Sequence, residues 1–459
     1  MKTKLRKGPE VCFYGDDFTG ATANLAGFHR AGLAAMLFLD TPSDDQIRRH
    51  AAELDVLGVA GTGRSLPPAE MRAEIEPALS RFREIGSRIV QYKICSTFDS
   101  SPEVGSFGTV LDSARSIFGD RPIPVFAACP DFGRYTVFGN HFAAYRGDAF
   151  RLDRHPVMSR HPATPMHEAD LRLHLGAQTA MPVGLIDLRT VRSGKEALRL
   201  AFERMPAGTA VVIDAFDEAD VDAVSTLLWS LSGERTVFTL AAQGLAGGLG
   251  RLMARTSGRV LGPPQPPAGA VDRILVLSGS ASPQTATQIG LALEAGWKGL
   301  RLDLRELLES AETRERLFHT LSDRLCSLLA RERGAILYTA LGPDDPAIAR
   351  GRDLAARRGG DSDPLVAEIG NFYGRLASTV SERLGLRRIV LAGGDTSSLA
   401  MRRIDAYALQ VAGTQPAGGS ISRLRSENPK INGLEVLLKA GQSGSDDVLL
   451  RALSGEGWI

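Results

Sequence analysis

The sequence predicts an α/β protein made of two layered domains with mainly parallel sheets, joined by a Pro/Gly-rich linker. Its 459 residues exceed what one ordinary core accommodates, and both halves alternate short apolar runs with helical patterns. Residues 262–269 read GPPQPPAG, and proline cannot continue a helix or a central strand. We therefore expect a first domain at 1–261, a linker at 262–271 and a second domain at 272–459.

Continuous apolar runs, rather than alternating ones, are typical of parallel strands covered on both faces. They predict strands at 11–14, 54–60, 89–93, 124–128, 183–188, 210–213, 274–277, 300–302, 335–338, 389–392 and 434–439. The intervening patterns predict helices at 21–31, 67–85, 102–117, 166–175, 193–204, 218–231, 282–295, 313–332, 363–385, 396–408 and 446–453. Thr164 and Pro165 are predicted to cap and open the helix at 166–175.

The composition excludes several classes of protein. Lys and Arg number 54 against 53 Asp and Glu. The net charge is therefore too small to attract nucleic acid or a membrane surface in general. The four cysteines form no C-x-x-C pair, and four histidines between 155 and 174 match no metal-ligand spacing. We expect no metal site built from protein residues. The apolar run after the basic N-terminus is too short for a signal peptide, so we expect a cytoplasmic protein.

The first candidate site is the pair Asp16 and Asp17, which directly follows the predicted strand at 11–14. In open α/β sheets, ligands bind beyond the carboxyl ends of the strands. Adjacent carboxylates can accept hydrogen bonds from sugar hydroxyls or align an attacking hydroxyl in phosphoryl transfer. The alternative is that Asp17 or Thr19 simply caps the following helix. From these residues alone, the substrate-site interpretation and the helix-cap interpretation are equally well supported.

Two further strand ends carry polar side chains. Lys93 is followed by Ser96 and Thr97, and a lysine there can hold a carboxylate or phosphate as a point charge. A polar turn that caps the next helix explains this segment equally simply. Arg134 follows another predicted strand and could grip a carboxylate with two hydrogen bonds, although a single arginine is usually a solvated charge.

The second half has three loops of small residues at predicted strand ends, at 278–282, 392–398 and 439–445. Without large side chains, backbone N–H groups at a helix N-terminus can approach phosphates. One such loop indicates little, but three in one domain favour a nucleotide site. The chain contains neither a G-x-x-x-x-G-K-[ST] motif nor a clean G-x-G-x-x-G, which argues against a Walker or Rossmann site.

In order along nearly the whole chain, these motifs resemble the four-carbon acid sugar kinase family. The matching segments are 16–21, 92–97, 133–134, 161–166, 212–215, 243–246, 278–282 and 393–397. The resemblance implies an N-terminal domain for a sugar acid and a C-terminal domain for ATP and Mg²⁺. It implies substrate contacts from Asp16, Asp17, Lys93, Ser96, Thr97 and Arg134. It implies nucleotide contacts from Ser280, Ser282, Gly394, Ser397, Gly418, Gly419, Gly441 and Gly444.

Three segments depart from the family pattern. The final loop at 439–444, which in the family is usually Lys-Ser-Gly-x-Phe-Gly, reads Lys-Ala-Gly-Gln-Ser-Gly here. Cys95 stands where the family usually has Asp, and residues 98–100 read Phe-Asp-Ser instead of Leu-Arg-Gly. Losing an arginine and gaining Asp99 should change what the pocket accepts, because hydrogen-bonding pockets discriminate strongly when a partner is missing. The family includes kinases of 3-oxo-tetronate, threonate and the branched 3-oxo-isoapionate, and these departures favour an oxo or branched acid.

We therefore predict an ATP-dependent kinase that phosphorylates a terminal hydroxyl of a small sugar acid in carbohydrate-acid catabolism. Asp17 or Asp16 would accept or align the hydroxyl proton. Lys93 and Arg134 would hold the carboxylate or screen the transferring group. The alternatives are a nucleotide-dependent epimerase or dehydrogenase for the same acid, and a non-catalytic sensor of sugar acid and nucleotide. The expected partners are the acid and ATP, without nucleic acid or membrane, and a homodimer is left open.

Overall fold

A computed structural model describes residues 8–455 apart from 162, 234, 258–267, 357–363 and 414–420. The chain divides into two compact units, Met1–Pro263 and Pro264–Ile459. Most of the predicted linker at 262–271 lies outside the described residues, so its conformation stays a prediction. In the part of the chain that is described, no helix is both long and apolar enough to cross a membrane.

The first unit is built on a parallel sheet. Its strands, and those of a small second sheet, are β1 (Val11–Gly15), β2 (Ala35–Phe38), β3 (Val56–Ala60), β4 (Ile89–Lys93), β5 (Ile123–Phe126), β6 (Arg134–Val137), β7 (Asn140–Tyr145), β8 (Asp148–Arg151), β9 (Val183–Ile186), β10 (Ala210–Ile213) and β11 (Val237–Ala241). The strand order is β2–β3–β1–β4–β11–β5–β10–β9, with every described pair parallel. β1 is wholly buried, as expected for a central strand with neighbours on both sides.

Nine described helices accompany these strands. They are α1 (Phe18–Arg30), α2 (Asp44–His50), α3 (Pro68–Ile85), α4 (Phe107–Phe118), α5 (Leu171–Gly176), α6 (Leu188–Val191), α7 (Lys195–Glu203), α8 (Glu218–Leu231) and α9 (Gly244–Thr256). Their ends follow local chemistry. Ser43 and Gln46 form a capping box at α2, and Pro68 occupies the first position of α3, which ends at Gly86 with a φ of +74°.

A three-stranded antiparallel sheet, β6–β7–β8, follows β5. It is tied to the main sheet through a bridge between Thr136 and Ala215, just after β10. Asp214 reinforces this junction by accepting hydrogen bonds from the backbone N–H groups of Phe138, Gly139 and Leu188. The small sheet thereby holds Arg134, the first residue of β6, beside the carboxyl ends of the parallel strands.

The second unit contains a mixed sheet with helices around it. Its described strands are β12 (Ile274–Ser278), β13 (Lys298–Arg301), β14 (Gly334–Tyr338), β15 (Arg388–Ala392), β16 (Ala408–Gly413), β17 (Ile421–Arg425) and β18 (Glu435–Lys439). Its described helices are α10 (Pro283–Glu294), α11 (Leu304–Glu309), α12 (Ala311–Leu329), α13 (Pro346–Ala356), α14 (Pro364–Leu384), α15 (Gly394–Met401) and α16 (Val448–Ser454). The strand order is β13–β14–β12–β15–β18–β17–β16. The first five strands are parallel to one another. β17 runs antiparallel to both of its neighbours, β18 and β16.

The predicted α/β class with mainly parallel sheets is confirmed, but several elements differ from prediction. Strands β2, β6, β7, β8, β11, β16 and β17 were not predicted. The helix predicted at 166–175 begins only at Leu171, where Asp170 caps it. The reason is local: the ring of His161 accepts the backbone N–H of Thr164 at 3.1 Å and contacts its hydroxyl at 3.0 Å. The predicted capping residue is therefore engaged elsewhere.

Candidate active site

Asp16 and Asp17 lie directly beyond the carboxyl end of β1. The backbone N–H of Asp16 donates to the carbonyl of Lys93 at 3.0 Å. Asp17 is the N-cap of α1, and its Oδ1 accepts the backbone N–H of Gly20 at 2.9 Å. The capping interpretation of Asp17 is therefore correct, and it does not exclude the functional one, because the second carboxylate oxygen takes no part in the cap.

Lys93 ends β4, the strand adjacent to β1, and stands opposite Gly15 in the register. Its Nζ donates to Oδ1 of Asp16 at 3.3 Å and to Oδ1 of Asp17 at 3.2 Å, and the side chain is only 2% exposed. A methyl group at Gly20 would lie 1.7 Å from this Nζ. Only glycine at position 20 therefore leaves room for the lysine between the two carboxylates.

Arg64 completes the cluster and was not predicted as a site residue. It follows β3, on the other side of β1, and its backbone N–H donates to the carbonyl of Asp16 at 3.2 Å. Its Nη2 lies 2.9 Å from Oδ2 of Asp17, and its Nη1 lies 3.7 Å from Oδ2 of Asp99. A signal existed in the sequence, because Arg64 stands shortly after the strand predicted at 54–60.

Burial and charge separate the two aspartates. Burial is the largest influence on Asp16 and raises its pKa to about 6, against the attraction of Lys93. Burial would also raise the pKa of Asp17, but Lys93 and Arg64 together hold that pKa well below its usual range. Burial would lower the pKa of Lys93, yet the two carboxylates raise it. At neutral pH the cluster thus contains a firmly ionised Asp17 and a Lys93 that stays an ammonium.

The loop after β4 carries a chain of hydrogen bonds into this cluster. The backbone N–H of Cys95 donates to Oδ2 of Asp16 at 2.9 Å. Thr97 lies 3.0 Å from the sulfur of Cys95 and donates to Oδ1 of Asp99 at 2.7 Å. Burial raises the pKa of Cys95 to about 12, so this residue is a neutral thiol where the family pattern has a carboxylate. Two of the departures noted in the sequence, Cys95 and Asp99, therefore lie in one connected segment with Thr97.

Phe98 holds this loop in an uncommon conformation. Its φ is +57°, which is costly for a residue with a large side chain. The ring is fully buried and packs edge-on against Phe107 with centroids 4.8 Å apart, and against His174 at 5.8 Å. His174 also contacts the hydroxyl of Ser100 at 3.0 Å. These aromatic contacts offset the backbone strain and fix the positions of Thr97 and Asp99.

Ser96 is oriented through its backbone. Its carbonyl accepts Nε2–H of His141 at 2.9 Å, while Nδ1 of the same ring lies 2.9 Å from the hydroxyl of Thr136. Burial lowers the pKa of His141 to about 4, so the ring is neutral. The hydroxyl of Ser96 has no hydrogen-bond partner in the described part of the chain and remains available to a ligand.

Arg134 is held by one edge of its guanidinium. Its Nη1 donates to the carbonyls of Phe132, Gly133 and Ala144 at 2.8, 3.3 and 3.3 Å. Its Nε is buried and has no partner among the described residues. The Nε–Nη2 edge is the one that grips a carboxylate with two parallel hydrogen bonds. Burial lowers the pKa of Arg134, and Cys95 and Asp99 are among the nearby groups that act against this shift. Arg134 therefore lies near the same loop.

The three loops of small residues in the second unit lie together. They follow β12, β15 and β18, which are adjacent in the sheet. Ser282 caps α10, Ser280 donates to its hydroxyl at 3.3 Å, and Ser282 donates in turn to the carbonyl of Gly441. A methyl group at Gly441 would lie 3.0 Å from Oγ of Ser280. Two hydroxyls and one backbone carbonyl thus meet at this edge of the sheet.

The remaining predicted nucleotide residues have different surroundings. Apart from its chain neighbours and the backbone of its own helix, nothing described lies within 4 Å of a methyl group built at Gly394. Ser397 is 4% exposed, and its hydroxyl has no partner among the described residues. Gly444 has a φ of +86° and accepts hydrogen bonds from Gln284 and Gln288. Gly418 and Gly419 lie outside the described residues.

This organisation is that of an enzyme with one α/β unit for a polyhydroxylated substrate and another for a nucleotide. Two family models match these units, a sugar-binding N-terminal domain over residues 11–249 and a nucleotide-binding C-terminal domain over residues 275–449. The chain belongs to this family, and it is a sugar-acid kinase. The resemblance seen in the sequence is therefore confirmed.

Curated relatives match over almost the full length. The chain is 37% identical to a 3-oxo-isoapionate kinase of Paraburkholderia graminis, over 95% of this chain and 92% of the relative. It is 30% identical to a 3-oxo-tetronate kinase of Methylobacterium radiotolerans, over 95% of this chain and 97% of the relative. These relatives favour a kinase over the epimerase, dehydrogenase and sensor alternatives.

Solved structures share the fold. A Haemophilus influenzae protein of the DUF1537 family aligns with a TM-score of 0.70 and 23% identity, covering 96% of this chain and 98% of that one. A structure from Salmonella typhimurium LT2 aligns with a TM-score of 0.74 and 24% identity, with the same coverage.

Proposed function

We propose that this enzyme transfers the γ-phosphoryl group of ATP to a terminal hydroxyl of a branched 3-oxo sugar acid of the 3-oxo-isoapionate type. The higher identity to the 3-oxo-isoapionate kinase than to the 3-oxo-tetronate kinases supports this choice. The observation that carries the chemistry is the cluster of Asp16, Asp17, Lys93 and Arg64 at the carboxyl end of β1. We assign the reaction to the cytoplasm, where ATP is the common phosphoryl donor.

Asp17 is our candidate for aligning the attacking hydroxyl. Its side chain is 17% exposed, against 1% for Asp16, and it stays ionised at neutral pH. Phosphoryl transfer passes through a loose transition state in which positioning matters more than early proton removal. The hydroxyl oxygen forms the new P–O bond while the bond to the leaving ADP oxygen breaks, and the hydroxyl proton is released towards Asp17. Asp16, whose pKa is raised, shares the ammonium group of Lys93 with Asp17 and so helps to position it.

Lys93 is assigned a positioning role. Its buried ammonium is shared between Asp16 and Asp17, so it holds both carboxylates in place and offsets their mutual repulsion. The substrate carboxylate is assigned instead to the free Nε–Nη2 edge of Arg134. The hydroxyls of Ser96 and Thr97 would contact substrate oxygens, and Asp99 would accept a hydrogen bond from a substrate hydroxyl.

ATP is assigned to the loops at 278–282, 392–398 and 439–445 of the second unit. Among the described residues, no group of three or more His, Cys, Asp or Glu side chains could hold a metal ion. Mg²⁺ usually binds through substrate phosphates with few protein carboxylates, which fits this arrangement. We therefore propose that Mg²⁺ enters with ATP, where it neutralises phosphate charge.

The test is a coupled assay of ADP release with 3-oxo-isoapionate and 3-oxo-tetronate as acceptors. We expect the higher kcat/KM with 3-oxo-isoapionate. Asp17→Asn should lower kcat by roughly 10²- to 10⁴-fold, the usual contribution of a positioned acid–base group. Asp45→Asn is the matched control, because Asp45 is exposed on α2 and pairs with Arg48 at the surface. Full activity of Asp17→Asn would overturn the assignment, and preference for the tetronate would overturn the substrate.

A further inference from the structure

Lys439 is a buried lysine that has no counter-ion among the described residues. It ends β18 in the second unit and is 3% exposed. Its Nζ donates to the hydroxyl of Thr285 at 2.9 Å and to the carbonyls of Ala440 and Gly441 at 3.0 and 3.3 Å. These are all neutral acceptors, and a buried charge is normally paired with an opposite one. The site therefore contains positive charge that the described protein residues leave unneutralised.

Charged groups on the surrounding elements do not supply that counter-ion. Those groups are Glu435 at the other end of β18, Arg388 on β15, Arg423 and Arg425 on β17, Glu294 at the far end of α10, Asp395 on α15, and Asp446 and Asp447 before α16. Glu435 pairs with Arg388, Asp447 with Arg451, and Asp446 accepts from Gln284. In the described part of the chain, none of these carboxylates bonds to Lys439.

The carbonyl of Gly441 accepts more donors than one oxygen ordinarily satisfies. Ser282, Thr285 and Lys439 all donate to it, although a carbonyl oxygen has two lone pairs. Because this oxygen cannot satisfy all three donors fully, they retain the capacity to donate to a further acceptor. A phosphate oxygen carries the charge and the additional lone pairs that this group of donors lacks.

We propose that Lys439 supplies the positive charge met by the phosphates of the nucleotide, and that Ser282 and Thr285 complete the same anion site. This inference rests on the proposed nucleotide site and adds two residues, Thr285 and Lys439, to it. Lys439 acts mainly as a nearby point charge, because its own donors are shared with the loop. The hydroxyls of Ser282 and Thr285 provide the directional hydrogen bonds.

A measurable consequence is proton uptake. Burial lowers the pKa of Lys439 to about 8, so the free enzyme near that pH holds a mixture of amine and ammonium. Bound phosphate favours the ammonium, so ADP binding near pH 8 should take up roughly half a proton per site. Phosphate itself contributes little, because its second ionisation, with a pKa of about 6, is complete there.

The experiment is calorimetric titration of the full-length enzyme with ADP near pH 8, in two buffers of different ionisation enthalpy. The wild type should bind ADP with proton uptake and adenosine without it. Lys439→Arg should bind ADP with no uptake, because a guanidinium stays charged. Lys439→Met should weaken ADP binding by roughly 10- to 100-fold. Lys430→Met, at an exposed lysine of the same unit, should change neither affinity nor uptake.

The outcomes separate this inference from the proposed function. Binding of ADP by the wild type without proton uptake, or equal uptake by Lys439→Arg, would overturn the role of Lys439 and leave the nucleotide site standing. A lysine that merely held the loop would lower affinity when replaced by Met, but it would not link ADP binding to protons. Absence of any ADP binding by the wild type would overturn the nucleotide site and this inference together.

Discussion

Replacing Asp16 by asparagine should change how the stability of the first unit depends on pH. Asp16 is 1% exposed, and burial raises its pKa from 3.8 to about 6. The amide of asparagine has nearly the same shape and cannot ionise. Lys93 keeps Asp17 as a partner in the variant, so the substitution removes the buried titratable group without leaving the lysine unpaired.

The sign follows from proton binding. Between pH 3.8 and about 6, the folded state holds the Asp16 proton more tightly than the unfolded state does. The free energy of unfolding of the wild type therefore falls as pH rises through this window and is level above it. A pKa moved from 3.8 to about 6 corresponds to about 3 kcal/mol. Asp16→Asn should lack this loss, so its stability relative to the wild type should rise by about 3 kcal/mol across the window.

Hydrogen exchange measured by mass spectrometry suits this test, because peptides from β1 and β4 report the opening of the first unit alone. Opening free energies would be obtained from pH 4 to 7 after correction for intrinsic exchange, for both proteins. Asp17→Asn is the matched control: the pKa of Asp17 is lowered from 3.8, so its stabilising contribution is lost only in more acidic solution. The difference between wild type and Asp17→Asn should therefore stay nearly constant from pH 4 to 7. A difference between wild type and Asp16→Asn that stays constant with pH would refute the reasoning.

Three further substitutions test the contacts of the two units. Gly20→Ala would place a methyl group 1.7 Å from Nζ of Lys93 and 2.2 Å from Oδ1 of Asp17; kcat should fall by about 10²-fold or more through misplacement, with an unchanged circular dichroism spectrum. Arg134→Lys should raise KM for the acid by about 10-fold and largely spare kcat, because lysine lacks the bidentate edge. Gly441→Ala, with a methyl group 3.0 Å from a serine hydroxyl, should raise KM for ATP only. Unchanged steady-state constants in any variant would contradict the corresponding contact.

Ligands of open α/β sheets bind beyond the carboxyl ends of the strands, and this rule located much of the candidate site from the sequence. Asp16 was predicted just beyond one strand and Lys93 at the end of another, and they meet because β1 and β4 are neighbours. The order of strands, however, is set by packing between distant segments and is not written in local patterns. This is why Arg64 was missed: its loop resembles an ordinary turn, and only the adjacency of β3 to β1 brings it to Asp17.

Competing local interactions explain other differences. Thr164 and Pro165 form a good helix start, but a single histidine ring, His161, takes the N–H of Thr164, and helix α5 starts later. The small sheet of β6, β7 and β8 is only partly buried, so it lacks the apolar run or strict alternation that predicts a strand. The burial of Lys439 among neutral acceptors also depends on three-dimensional packing. From the sequence, only its position at the end of a predicted strand was visible.

β11 is the last strand of the first unit to be synthesised, yet it lies between β4 and β5. A nascent chain that has completed β4 must therefore keep one edge of that strand unpaired until residue 241 has left the ribosome, more than 140 residues later. Unpaired apolar edges promote association between chains. During translation, the strand that carries Lys93 is thus exposed to such association, and it lacks its neighbour β11 until the whole unit has emerged.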